Sequence, residues 1–125
     1  MDVISQNIAN ANTTRTAEGG PYRRRVAVLR EKQAEPFSAY LEEAKGPGVG
    51  RGVEVAGIAL DMSEFKLDYD PTHPDAGEDG YVRYPNVDEV TEMVDMMSAT
   101  RSYEANVTAI NATKGMALKA LEIGK

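Results

Sequence analysis

The feature that most limits how this chain can fold is its last third, because residues 86 to 123 contain no proline and a single glycine, Gly115. The stretch is rich in Ala, Met, Leu, Glu and Lys, and predicts one helix of ~57 Å at 1.5 Å per residue. Its expected start is Asn86 as N-cap, with Glu89 three residues on in a capping-box spacing, behind Pro85. Asp88 and Glu89 also suit the positive end of the helix dipole, and Gly124 supplies the stop. Along the helix Val87, Val90, Val94 and Met97 recur at spacings of three and four. After a polar break at Arg101 and Ser102, a second set resumes with Tyr103, Val107, Ile110, Ala117 and Leu121. The pattern is a coiled-coil-like stripe with a phase shift.

The opposite end repeats the signature in miniature. Met1, Ile4, Ile8 and Ala11 follow a three, four, three spacing and predict a short amphipathic helix. Eleven residues make only ~17 Å of helix, marginal by itself. Either more N-terminal helix precedes it or other copies of the protein cover the remainder of the long helix.

Between the helices the character changes. A polar segment from Asn12 ends in Gly19, Gly20 and Pro21, a loop. Strands are expected around Val26 and Val28, over Val53, Val55, Ile58 and Leu60 with a bulge at Gly57, over Phe65, Leu67 and Tyr69, and over Tyr81 to Tyr84. Pro36 to Ala44 is expected to make helical turns, and Gly46 to Gly52 reads as a glycine-rich linker. The fold class is therefore α+β. A small antiparallel β unit, residues 21–85, is inserted into a helical module of residues 1–20 and 86–125.

Composition removes several functions. A formal net charge of -6 disfavours a nucleic-acid binder, which needs a basic face to displace counterions. No run approaches the ~18 apolar residues of a membrane span, and no secretory signal opens the chain. With no cysteine and one histidine, thiol chemistry, a zinc site and a catalytic triad lack their parts. No cofactor and no small-molecule substrate is expected.

The chemical-looking motifs have plain readings. Asp68, Asp70, His73, Asp75, Glu78 and Asp79 cluster oxygen ligands, but the calcium-loop order fails, since His73 stands where glycine is required and Asp79 where a bidentate glutamate belongs. Pro71 and Pro74 fix the backbone twice, so Asp70, Pro71, His73, Pro74 and Asp75 read as a rigid loop setting the angle between β unit and long helix, with no metal. Arg23, Arg24, Arg25 and Arg30 read as a solvated strand edge or as a contact with an acidic neighbour. Asn12, Asn106 and Asn111 match a glycan acceptor pattern by chance, and Met93, Met96, Met97 and Met116 read as adaptable interface packing. A polymer subunit, a calcium-binding or partner-binding adaptor and an enzyme are the three classes weighed, and the first fits best.

Three runs carry a family resemblance: MDVISQNIANANTTRT from Met1, YDPTHPDAGEDGYVRYPNV from Tyr69 and RSYEANVTAINATKGMALKALEIGK from Arg101. They resemble the flagellar basal-body rod protein family, of the proximal rod type designated C, across nearly the whole chain. The asparagine-rich NIANANT is common to flagellar axial proteins generally, whereas the other two runs point to the member. The family pattern implies roughly 20 further residues upstream, which would lengthen a helix too short to stand alone. The resemblance implies a non-enzymatic subunit that polymerises through its terminal helices into a hollow, periplasm-spanning drive shaft transmitting torque from rotor to hook. It also implies passage from the cytoplasm through the flagellar type III export apparatus. Implied partners are other copies of the chain, other rod proteins, the membrane-ring rotor base and the exporter. The expected assembly interface is Ile4, Ile8, Val90, Val94, Met97, Tyr103, Val107, Ile110, Ala117 and Leu121, with the stripe facing an N-terminal helix of the same or an adjacent subunit.

Overall fold

The computed structural model describes residues 1–32, 41 and 52–124. Helix α1 spans Asp2–Ala9, followed by strands β1 (Arg25–Glu31), β2 (Val53–Leu60), β3 (Lys66–Tyr69) and β4 (Tyr81–Tyr84), and by helix α2 (Glu89–Ile123). This is the α+β arrangement expected. The helical turns expected over Pro36 to Ala44 and the linker Gly46 to Gly52 lie outside the described residues, except Leu41 and Gly52.

The long helix starts later than its capping pattern suggests. Asp88 is the N-cap, its Oδ1 accepting from the backbone N–H groups of Val90 at 3.0 Å and Thr91 at 3.4 Å. The Asn86–Glu89 capping box does not form, because Asn86 is claimed by the β unit. Its Oδ1 accepts from the Arg24 N–H at 2.8 Å, and its Nδ2 donates to the Asp61 carbonyl at 2.9 Å and to Ser63 Oγ at 2.9 Å. Val87 consequently leaves the helical stripe and becomes core, only 1% exposed. Downstream, 35 residues of α2 extend about 52 Å and end at Gly124.

Two antiparallel ribbons make up the β unit rather than one sheet. In the first, Arg25 lies opposite Leu60 and Glu31 opposite Val53, with a register shift between Val28, which faces Gly57, and Leu29, which faces Val55. Ala56 is thus the extra residue, a bulge beside Gly57. The second pairs Lys66 with Tyr84 through Tyr69 with Tyr81, closed by the loop 70–80. Gly80 ends that loop at φ 81°, and a Cβ there would come 2.9 Å from the Tyr69 ring, so only glycine fits without strain.

The apolar core is small. Among the described residues its buried members are Ala11, Tyr22, Val82 and Val87; Ala11, Tyr22 and Val87 pack together where the segment after α1, the approach to β1 and the approach to α2 meet, and Val82 is buried on β4. Helix α1 packs on both β1 and α2. No helix among the described residues is long and apolar enough to cross a membrane.

Candidate assembly interface

Two local features decide how the terminal helices are presented: a buried polar latch and a long uncovered helix face. The latch centres on Asn7, a member of the NIANANT run and only 1% exposed. Its Oδ1 accepts from the Tyr22 hydroxyl at 3.0 Å and from the Arg25 N–H at 3.0 Å. Its Nδ2 donates to the Arg25 carbonyl at 2.8 Å and to Glu92 Oε2 at 3.3 Å. One amide side chain thereby satisfies all four of its hydrogen-bonding positions and joins α1, β1 and α2.

Glu92 is the other pillar, 1% exposed in the first turn of α2. It receives the Arg24 Nε–H, while the same guanidinium reaches Asp61 at 3.4 Å and Asp95 at 3.9 Å. A buried carboxylate needs such a partner, because desolvating it alone would cost several kcal/mol. The hydrogen bond to Glu92, more than the opposing desolvation, holds Arg24 even more firmly protonated than an ordinary arginine. Burial raises the Tyr22 hydroxyl above its usual range, with Arg25 opposing and Glu92 adding, so it acts as a neutral donor to Asn7. Asn12 completes the seam, its Nδ2 donating to Glu89 Oε1 at 3.4 Å. The arginine run is accordingly neither a free strand edge nor wholly available to a neighbour. Arg24 is spent inside the chain, Arg30 pairs with Glu54 directly across the first ribbon, and only Arg23 and Arg25 keep guanidinium groups without a carboxylate partner among the described residues.

The loop 70–80 anchors the segment that follows α1. Asp75 accepts from the Thr14 hydroxyl at 2.7 Å and pairs with Arg15, while its N–H donates to His73 Nδ1 at 3.1 Å. Asp70 caps the opposite side of the loop by accepting from the Thr72 hydroxyl at 2.6 Å and N–H at 3.2 Å. Pro71 and Pro74 flank these contacts and fix φ on either side of Thr72 and His73. Among the described residues, no three of His, Asp and Glu converge closely enough to hold a metal ion. The Thr14 hydrogen bond, then Arg15, hold the Asp75 carboxyl below its ordinary 3.8 despite opposing burial. A group lowered by folding stabilises above its unfolded pKa and loses that contribution as pH falls through the folded value. The Thr14 and Arg15 amides are therefore expected to keep their folded chemical shifts from neutral pH to about pH 4 and to lose them below it. Asp75→Asn should show the loosened shifts at neutral pH; an unchanged spectrum in that variant would remove the anchoring role.

The uncovered face completes the interface. At about 100° per residue, Glu92, Asp95, Met96, Ala99 and Thr100, the α2 residues that are buried or half-buried, share one side of the helix. Asn7 meets Glu92 and Asn12 meets Glu89, so α1 runs antiparallel to α2 along that side. Tyr103, Val107, Ile110, Ala117 and Leu121 continue the same side beyond α1, and every residue from Arg101 to Gly124 is exposed. Val90, Val94 and Met97 lie roughly 160° around the helix, and they too are exposed. The phase shift in the sequence is thus two faces rather than one interrupted stripe. Ile4 and Ile8 are half-buried on α1. Within the chain α1 reaches only the first turns of the covered side, and nothing brings Ile4 or Ile8 opposite Val107 or Leu121.

Sequence reasoning missed Asn7, Tyr22 and Glu92, and it singled out Arg24 and Asn86 for other roles, a strand edge or neighbour contact and a helix cap. One signal was present: Asn7 lies in phase with Ile4, Ile8 and Ala11, and Glu92 in phase with Met96, Ala99 and Tyr103, so each is a polar residue at the centre of an apolar face.

Comparison with known proteins adds to this geometry. Residues 78–123, the end of the loop, β4 and α2, match the family model described as flagellar basal body rod FlgEFG protein C-terminal. Over 131 aligned residues the chain is 56% identical to the flagellar basal-body rod protein FlgC of Bacillus subtilis, covering 100% of this chain and 87% of that one. It is 48% identical to the FlgC of Borreliella burgdorferi, over 98% of this chain and 85% of the relative. The FlgC of Salmonella typhimurium is 39% identical, over 100% and 85% respectively.

Proposed function

The chain belongs to the flagellar basal-body rod protein FlgC family, and we propose that it works there as a non-enzymatic subunit polymerising through its terminal helices into the proximal rod. Its place is the flagellar basal body, and its role is structural, in assembly with other rod components. Residues 1–20 and 86–125 form the axial helical module, and residues 21–85 form a β unit that braces it. The observation that carries this reading is α2 itself. A helix exposed on all sides from Arg101 to Gly124, yet bearing Tyr103, Val107, Ile110 and Leu121 in line, is unstable in water unless another helix covers it.

In the assembled rod, a helix of the same or an adjacent subunit covers that face in line with α1, while Val90, Val94 and Met97 meet a second neighbour. The resulting tube crosses the periplasm, transmits torque from the membrane-ring rotor base toward the hook, and is fed by subunits exported from the cytoplasm through the flagellar type III apparatus. The absence of cysteine suits a chain that must travel unfolded and assemble without oxidation.

The test is replacement. In Bacillus subtilis cells lacking their own FlgC, an epitope-tagged copy of this chain is expected to restore swimming and to copurify with hook–basal bodies, labelled at the rod. Normal expression with no tag in the purified basal bodies would overturn the assignment.

A further inference from the structure

A second surface lies on the β unit, away from the helical stripe, and is basic in a chain whose formal net charge is -6. Arg23, Arg25 and Arg83 line one concavity of about 520 Å³ between the first ribbon, the second ribbon and the glycine loop at 19–20. Unlike Arg15, Arg24 and Arg30, none of the three has a carboxylate partner among the described residues. Glu18 stands at the lip, exposed and likewise without an ion pair there.

Two of the three guanidinium groups are held in place. Arg23 lies 4.3 Å over the Phe65 ring and donates to the carbonyls of Asp61 at 3.1 Å and Ser63 at 3.2 Å. Arg25 sits 5.7 Å over the Tyr22 ring. Arg83 projects from β4, where its neighbour Val82 is fully buried and fixes the strand. Side chains already ordered lose less entropy on binding, and a guanidinium offers a bidentate fork that matches a carboxylate. Beside the arginines the wall includes an apolar patch, Phe65 and Leu60, the latter 52% exposed, while Thr16 and Glu18 add polar groups.

We propose that this concavity docks an acidic peptide segment of a neighbouring protein, with Arg25 and Arg83 gripping carboxylates and Leu60 and Phe65 receiving an apolar side chain beside them. Three charges gathered in one half-open concavity do not make the extended basic track that a phosphate backbone requires. A bare inorganic anion would satisfy the guanidinium groups but leave Leu60 and Phe65 in water. Charge complementarity favours an acidic protein partner, because the three arginines make a local basic patch on a chain whose formal net charge is -6.

The experiment titrates the full isotopically labelled chain with an acetylated Glu-Leu-Glu-Glu-Leu-Glu peptide and follows backbone amides by NMR. Saturating shifts are expected at Gly19, Gly20, Arg25 and Arg83, weakening as salt rises. Arg83→Gln should weaken binding about tenfold, and Arg25→Gln by a similar factor, as loss of one charge-assisted contact implies. The glutamine analogue of the peptide should not bind. Arg83 makes no side-chain hydrogen bond among the described residues, so its variant keeps the fold even if Arg25→Gln does not, and it alone can decide. Equal affinity of the Arg83→Gln variant, or shifts mapping elsewhere, would overturn the proposal. So would sodium sulfate or phosphatidylglycerol vesicles perturbing the same amides as strongly as the peptide, since either would make the site a general anion or membrane contact.

Discussion

Val107→Asp or Leu121→Asp is expected to abolish rod assembly and motility while leaving the isolated subunit as stable as before. Both side chains are exposed, Val107 at 39% and Leu121 at 68%, so the aspartate takes nothing from the subunit's own core. Surface changes of that kind alter stability by no more than about 0.5 kcal/mol. In the assembly proposed above the same positions are covered, and each buried Val or Leu would contribute about 1.5 to 3 kcal/mol. An aspartate there forfeits that contribution and adds the cost of burying an unpaired charge. The effect recurs at every copy, so one substitution should suffice. Swimming assays, thermal unfolding of the purified subunit and electron microscopy of basal bodies together test it, with Glu122→Gln as a control expected to be nearly silent. Full motility of both aspartate variants would mean that this face is not the assembly surface. The two-face geometry adds a finer expectation, that Val94→Asp interferes separately through the opposite side of α2.

Asn7→Ala is expected to release α1 from the body of the subunit. The change deprives the Tyr22 hydroxyl, the Arg25 N–H, the Arg25 carbonyl and Glu92 of a partner at once. An unsatisfied buried polar group costs about 1 to 3 kcal/mol, so even with water repairing some of these the loss should reach about 3 kcal/mol. Against a total stability of about 5 to 15 kcal/mol that is a large fraction. Hydrogen exchange should show residues 2 to 9 unprotected while β3 and β4 retain protection. Tyr22→Phe is the informative second variant, because a shared network predicts a coupling of at least about 0.5 kcal/mol in the double-mutant cycle. Additive losses, or an Asn7→Ala cost under about 1 kcal/mol, would show that the latch is incidental to docking. Glu92→Leu should cost less than removing one member of an isolated buried pair, since Arg24 keeps Asp61 and Asp95 within reach.

The buried amide also gives the asparagine-rich run a physical role. A short helix with two half-buried isoleucines has little apolar surface with which to dock. Directional hydrogen bonds from Asn7, and from Asn12 just beyond it, set its angle and register instead. Hydrophobic contact alone would tolerate sliding, whereas an amide that must meet four partners does not. The helix pair is thereby held at a defined geometry, which the proposed polymer would require of every subunit.

What the sequence determined by itself is the local structure. Proline-free length and helix-forming composition specify α2, alternation specifies the four strands, and the three-four spacing specifies α1, because these depend on neighbours within one or two turns of chain. The exposed apolar side from Tyr103 to Leu121 was legible for the same reason, and so was the Gly57 bulge to within one residue. Tertiary structure alone decided where long-range polar groups find partners. Asn86 could cap the helix by local rule, but the β unit offers it the Arg24 amide and the Asp61 carbonyl, and the cap passes to Asp88. Arg24 lies 68 residues from Glu92, and no periodicity connects them. Burial drives that choice, since a carboxylate excluded from water must take whichever cation the fold brings near, and chain spacing carries no record of which one that is.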